Sequence, residues 1–277
     1  MQKSAFLLLT LTCFSLCACQ SYQRQAPQPP PVHTPLQVEQ TQEYIPPPTV
    51  DMDVWNVHTT DVSKIDPTKK LIAFTYDDAP ASSLESLLSV FLSYNEKNPD
   101  CVATATLFCN GKRIDEPFSH TLRSALALGF ELGNHTYSHA DLTKCTAEKI
   151  AFEIERTDSI LQRLDGNTHH LFRAPYGNIT NQVQSQVQTP VISWTIDTLD
   201  WTGKSAEDIY ACVWEQKYSG AIILMHDGYE NTIIAMKRLL PDLKNAGYQA
   251  VTVSQMSKVH DCPLHVGSVY IRARKQK

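Results

Sequence analysis

Five short stretches of this chain carry side chains that can bind a metal ion or move a proton. They are "TYDDAP" (75–80), "HTYSH" (135–139), "RAPYG" (173–177), "DTLDW" (197–201) and "LMHD" (224–227). Asp77 and Asp78 stand side by side at the end of an apolar run. Taken alone, such a pair reads as turn chemistry, because short carboxylates bond nearby backbone groups. His135 and His139 are four apart. On a helical turn that spacing puts both imidazoles on one face, within reach of one ion. Two imidazoles and a carboxylate are a frequent divalent-metal set, with positions left open for water and substrate. A metal also gives the doubled aspartate a purpose. One carboxylate binds the ion, and the other stays free as the base that takes a proton from water.

The elements between these stretches repeat one rhythm. Apolar, β-rich runs occur at 71–76, 102–108, 130–133, 170–172, 191–196, 221–225 and 248–253. Helical patterns separate most of them. Ile150, Ile154, Thr157, Leu161 and Leu164 share one helical face. Ser205 with Asp208 forms the pattern of a capping box. The helical stretch 231–247 contains Pro241, a kink or a break, and stops at Gly247. About seven strands alternating with helices imply a parallel α/β sheet, open or closed into a barrel. Asp77 and Asp78 follow the first run, the histidines the third, Arg173 the fourth, "DTLDW" the fifth and "HD" the sixth. In parallel α/β folds the C-terminal strand ends converge on one side, where active sites are built. Turn chemistry alone does not explain reactive side chains at five such ends.

In this order the motifs resemble those of the polysaccharide deacetylases of carbohydrate esterase family 4, the NodB-homology domain. The usual forms there are TFDDGP, HSxxH or HTxxH, RxPYG, DxxDW and LxHD, and the resemblance runs from 71 to 253. It implies an α/β fold, a distorted (β/α) barrel with fewer strands than a full one, in a single catalytic domain over 51–277. It implies that Asp77 is the base, and that Asp78, His135 and His139 hold a divalent metal. With histidine and carboxylate ligands and no thiolate, Zn2+ is the expected ion, with Co2+ or Ni2+ as working substitutes. By the same resemblance Arg173 pairs with Asp77, and the Tyr176 N–H stabilises the oxyanion. His226 is the general acid, bonded to Asp200, while Trp201 and Leu224 line the pocket for the acetyl methyl group. The implied reaction is removal of acetyl from N-acetylglucosamine units of peptidoglycan, chitooligosaccharide or poly-N-acetylglucosamine. An O-acetyl esterase using the same site is the alternative. Two residues depart from the pattern. Tyr76 replaces Phe. Ala79 replaces Gly, which would cost about 1 kcal/mol or more if that position needs positive φ. A non-catalytic glycan-binding lipoprotein is the reading that Ala79 motivates.

The N-terminus points outward from the cell. Lys3 precedes an apolar run from Ala5 to about Leu16, the length of a signal-peptide core. "LCAC" (16–19) resembles a lipoprotein lipobox, which makes Cys19 the acylated residue and 1–18 the signal. Gln20 after it implies, by that resemblance, the outer membrane, facing the periplasm. Residues 19–50 are rich in Pro and Gln and read as an extended tether. The net charge of −5 and the lack of a basic stripe argue against nucleic acid as a partner. A monomer is expected. Five cysteines remain beyond the lipobox, an odd count that leaves at least one unpaired. Cys101 and Cys109 flank a strand of roughly 26 Å, too long to bridge while straight.

Overall fold

The first apolar run becomes β1 (Lys70–Ala79), and the other elements assemble on it. The computed structural model describes residues 60–274. The expected signal (1–18), Cys19, the tether (19–50) and the first residues of the domain, 51–59, lie outside them. Leu71 through Tyr76 are sealed from solvent on both faces. That is why this strand reads as a continuous apolar run without alternation.

The chain continues through α1 (Leu84–Lys97), β2 (Thr106–Cys109), α2 (Glu116–Ala127), β3 (Glu131–Asn134) and α3 (Ala147–Asp165). It then forms α4 (Asn181–Gln184), β4 (Val191–Ile192), β5 (Ile196–Asp197), α5 (Ala206–Gln216) and β6 (Ile222–His226). The last elements are α6 (Glu230–Asn245), β7 (Tyr248–Val251), α7 (Val253–Val259) and β8 (Val269–Tyr270). The main sheet runs β3-β2-β1-β6-β5, with β7 paired to the first half of β1. Every pairing between these strands is parallel.

A single segment, 191–197, closes the barrel. Ile192 N–H donates to Phe172 O at 2.7 Å, and Thr195 N–H donates to Ile222 O at 3.0 Å. The run read as one strand over 191–196 is therefore two short pairings with different neighbours. The run 170–172 contributes a single bridging residue, Phe172, which pairs with Asn134 and Val191. The run read from 102 starts as a strand only at Thr106.

The helices form as their patterns predict. Ile150, Ile154, Thr157 and Leu161 of α3 are buried, and Leu164 packs from the edge against the cluster that holds Leu161. Ser205 and Asp208 make the reciprocal capping box of α5. Pro241 lies inside α6 without ending it. Cys145 ends a short turn before α3 and is not in a helix. The cysteines 101, 109, 145, 212 and 262 are all free. No described helix is long and apolar enough to cross a membrane.

Gly133 on β3 faces Phe108 on β2 in register. A Cβ there would lie 2.6 Å from the Phe108 ring and 3.1 Å from the Leu171 carbonyl. Gly133→Ala should therefore lower stability by about 1–3 kcal/mol through overpacking. Urea unfolding checks this, and an unchanged midpoint would mean that the ring moves aside freely.

Candidate active site

Strand register places the reactive residues. Thr75 pairs with Leu224 and Asp77 with His226 across β1 and β6. Side chains two apart on a strand share a face, so Leu224 and His226 project with Thr75 and Asp77. Arg173 follows Phe172 and is 1% exposed. Its Nη1 donates to Asp77 Oδ1 at 2.7 Å and to Thr75 Oγ1 at 2.8 Å. Its Nε donates to Ile192 O at 3.0 Å, and Nη2 to Ser193 O at 3.2 Å. The guanidinium stacks on Phe108, 4.1 Å from the ring centre. Burial opposes charge on Asp77, but the Arg173 guanidinium, helped by His226, outweighs it and holds the carboxyl below its usual range.

Asp200 orients the opposite wall. It accepts from His226 Nδ1 and from the His226 backbone N–H, both at 2.8 Å. It also accepts from Thr232 Oγ1 at 2.7 Å and from Trp201 N–H at 2.9 Å. Burial disfavours the imidazolium, yet the bond and charge of Asp200 prevail and raise His226 above its usual value.

Asp78, His135 and His139 present ligand atoms all within 4.8 Å of one another. His135 Nδ1 lies 2.8 Å from Arg173 O. A carbonyl only accepts, so Nδ1 carries the proton and Nε2 keeps its lone pair for an ion. Two nitrogens and one carboxylate oxygen fit a divalent metal with open positions.

Two expectations need correction here. The histidines do not share a helical turn. They sit in a loop after β3 in which Thr136 has φ 67° and His139 φ 57°, and this reversal brings their rings to 5.0 Å. Ala79 is not the strained residue either. The left-handed position falls on Asp78, with φ 64°, and Ala79 is buried without positive φ.

Side chains that the motifs do not contain hold the histidine loop. Asn134 Oδ1 accepts from Thr136 N–H at 2.9 Å, and Asn134 Nδ2 donates to Asp158 Oδ1 at 2.9 Å. Glu153 accepts from Ser138 N–H at 2.7 Å and Ser138 Oγ at 2.6 Å. Asn110 and Arg113 follow β2 and reach Asp78: Asn110 Nδ2 to Oδ1 at 3.4 Å, and Arg113 Nη1 to the carbonyl at 2.7 Å. Their place after a strand end was the available signal. For Glu153 the signal was an acid on the apolar stripe of α3.

Tyr176 has φ 61° in the turn Pro175–Gly177. Its exposed ring lies 4.7 Å from His139. Trp201 is half-buried in the turn after β5, and Leu224 is buried.

The family model described as polysaccharide deacetylase matches residues 64–191. The chain is 33% identical over 196 residues to the peptidoglycan-N-acetylmuramic acid deacetylase PdaC of Bacillus subtilis, covering 70% of this chain and 40% of that protein. The chain thus spans less than half the length of that relative. It is 32% identical over 195 residues to a peptidoglycan-N-acetylglucosamine deacetylase of Bacillus cereus, covering 68% of each. Among solved structures, a family 4 acetyl xylan esterase from Clostridium thermocellum in complex with a cobalt ion gives a TM-score of 0.66 at 26% identity, over 73% of this chain and 98% of that one.

The loop support has a pH signature. His170 Nδ1 lies 2.9 Å from Asp158 Oδ1, and its Nε2 lies 3.1 Å from Asp165 Oδ2. Burial lowers the imidazole, but these carboxylates outweigh it and raise it to about 9. A raised histidine stabilises the fold fully below its unfolded value, near 6.5, and that contribution is lost as pH rises through about 9. Its size is about 3 kcal/mol. Urea midpoints from about pH 6 to about pH 10 should therefore fall more steeply in the wild type than in His170→Gln. Parallel curves would show that His170 is not charged in the fold.

Proposed function

The chain belongs to the polysaccharide deacetylase family, and from that premise we propose that it removes acetyl from N-acetylglucosamine-type residues of a cell-envelope or extracellular polysaccharide. Peptidoglycan, chitooligosaccharide and poly-N-acetylglucosamine are its substrate class. Asp78, His135 and His139 hold the divalent ion, and zinc suits that donor set. The observation that carries the reading is the pair Asp77 and His226. They stand in register across β1 and β6, the first held below its usual pKa and the second above. One is ready to accept a proton and the other to give one.

When bound, the ion polarises the acetyl carbonyl and makes water more acidic. Asp77 takes the proton from the attacking water, and Arg173 fixes its orientation. The Tyr176 N–H faces the charge that develops on the carbonyl oxygen. His226 delivers a proton to the leaving nitrogen, which departs poorly without it. Trp201 and Leu224 hold the methyl group.

The likeness to an acetyl xylan esterase favours a second reading, O-acetyl ester hydrolysis at the same site. The non-catalytic reading loses its motive, because Ala79 is unstrained. The export signal and "LCAC" support a domain anchored through lipidated Cys19 and tethered by 20–50, in the outer membrane and facing the periplasm. The chain acts as a monomer.

Zinc-loaded protein should release acetate from at least one N-acetylated glycan. Release from acetylated xylan alone would favour the esterase, and release from neither would end the proposal. Asp77→Asn should keep its metal and lose about 10²–10⁴ in kcat. Asp78→Asn should lose metal, with partial rescue by excess zinc. Metal content and kcat measured at low and saturating zinc decide this, and the reverse pattern would exchange the two roles.

The alkaline limb of the pH–rate profile should report His226. Asp200 raises that group, so Asp200→Asn should move the limb toward lower pH. A limb that stays in place would remove His226 from the acid role.

A further inference from the structure

Arg113 has no part in the scheme above. It ends the short turn Gly111–Arg113 after β2, and its side chain is 45% exposed. Nη1 is spent on the Asp78 carbonyl. Nη2 stands 3.9 Å from Asp78 Oδ1, beyond hydrogen-bond range. Among the described residues Nε and Nη2 make no hydrogen bond. Any neutral donor could hold the Asp78 carbonyl. A guanidinium adds a full positive charge beside a carboxylate that is to bind a cation, where it opposes the ion. That placement makes sense if a second anion joins Arg113 from outside the protein. The unused edge of the fork is the geometry that grips a carboxylate.

Tyr229 adds a flat apolar face nearby. Its ring lies 6.2 Å from that of His226 and is 36% exposed. Arg113 follows β2 and Tyr229 follows β6, the two strands that flank the end of β1, so both stand at the same sheet edge as Asp77 and Asp78. An anionic substituent beside the metal position therefore meets an exposed counter-charge at Arg113.

Resting on the deacetylase reading, we propose that Arg113 and Tyr229 form a subsite for a carboxylate-bearing sugar next to the sugar that is deacetylated. Tyr229 takes the sugar face and Arg113 the carboxylate. The carboxylate can belong to a lactyl ether on an amino sugar or to a uronic acid.

The test uses the full zinc-loaded chain and four glycans of equal length. These are a neutral N-acetylglucosamine oligomer, an oligomer with lactyl carboxylates, the same oligomer with those carboxyls amidated, and an acetylated xylooligosaccharide bearing a uronic acid. The wild type should prefer the free carboxylate over its amide. Arg113→Gln should cut that preference about tenfold, chiefly through KM, and Arg113→Lys should restore part of it. Added salt should erode the wild-type preference in the same direction. Comparing the lactyl and uronic arms identifies the source of the carboxylate. A brace for Asp78 would behave differently: Arg113→Gln would lower turnover of every glycan by one factor, or reduce zinc content, and either result overturns the subsite. Calorimetric binding of the charged and amidated glycans to zinc-loaded Asp77→Asn, with and without Arg113→Gln, needs no turnover. A charge preference that depends on Arg113 there upholds the subsite even if deacetylation fails. No charge preference in binding overturns it even if deacetylation succeeds.

Discussion

The buried ion pair Arg173–Asp77 is the constraint on which the rest depends. Taking both charges out of water costs several kcal/mol per ion, and one contact does not recover that. The guanidinium is satisfied only because Thr75 on β1, the Ile192 carbonyl of β4 and the Ser193 carbonyl beyond it all meet it. Phe108 on β2 gives it a face to lie on. The strands that close the barrel are thus the ones that keep this charge from being stranded. The Arg173 carbonyl also sets the tautomer of His135, so one residue serves Asp77, the proposed proton acceptor, through its side chain and the candidate ion site through its backbone. A well-packed apolar pair of the same volume is often at least as stable. The charge is better explained by reactivity than by stability.

The adjacent aspartates differ because the backbone reverses between them. Asp77 completes the regular part of β1 and is 4% exposed. Asp78 takes φ 64°, which a short polar residue tolerates better than a branched one. Its carboxyl therefore leaves the strand face and turns toward His139, 3.6 Å from Nε2. The proposed division of labour, one carboxylate on the ion and one accepting a proton, needs different surroundings for the two, and a single reversal at the strand end provides both.

Much of this was legible in the sequence because it depends on local rules. Buried strands read as apolar runs, caps read as Ser or Thr before acids, and polar residues after runs mark strand ends. What depended on distant partners was not legible. The spacing of His135 and His139 suggested a helical turn, but the structure uses a left-handed loop, since Asn134, Glu153 and Asp158 supply its hydrogen bonds from outside the motif. The run 191–196 looked like one strand because pairing partners are invisible in a one-dimensional pattern. Pro241 left a kink or a break open, and α6 runs through it with Leu239, Leu240 and Leu243 all buried. Ala79 drew suspicion from a comparison of residue types, whereas the strained φ sits one residue earlier.

The second doublet, His226 and Asp227, works like the first and locks onto it. His226 stays on the strand face and meets Asp200. Asp227 turns to the loop after β1, accepting from Ala81 N–H and Ser83 Oγ, both at 2.6 Å. Ser83 in turn accepts from Gly228 N–H at 2.7 Å. The Asp227 N–H donates to the Asp77 carbonyl at 2.9 Å, the last rung of the β1–β6 ladder, which sets the pairing of Asp77 with His226. Asp77 and His226, the proposed proton acceptor and donor, are therefore fixed to each other through backbone and not only through the groups between them. Their separation is set by strand spacing, which is nearly constant in any sheet. The proposed chemistry needs a constant distance across the bond being cut, and a β-ladder is the part of a protein least able to change it.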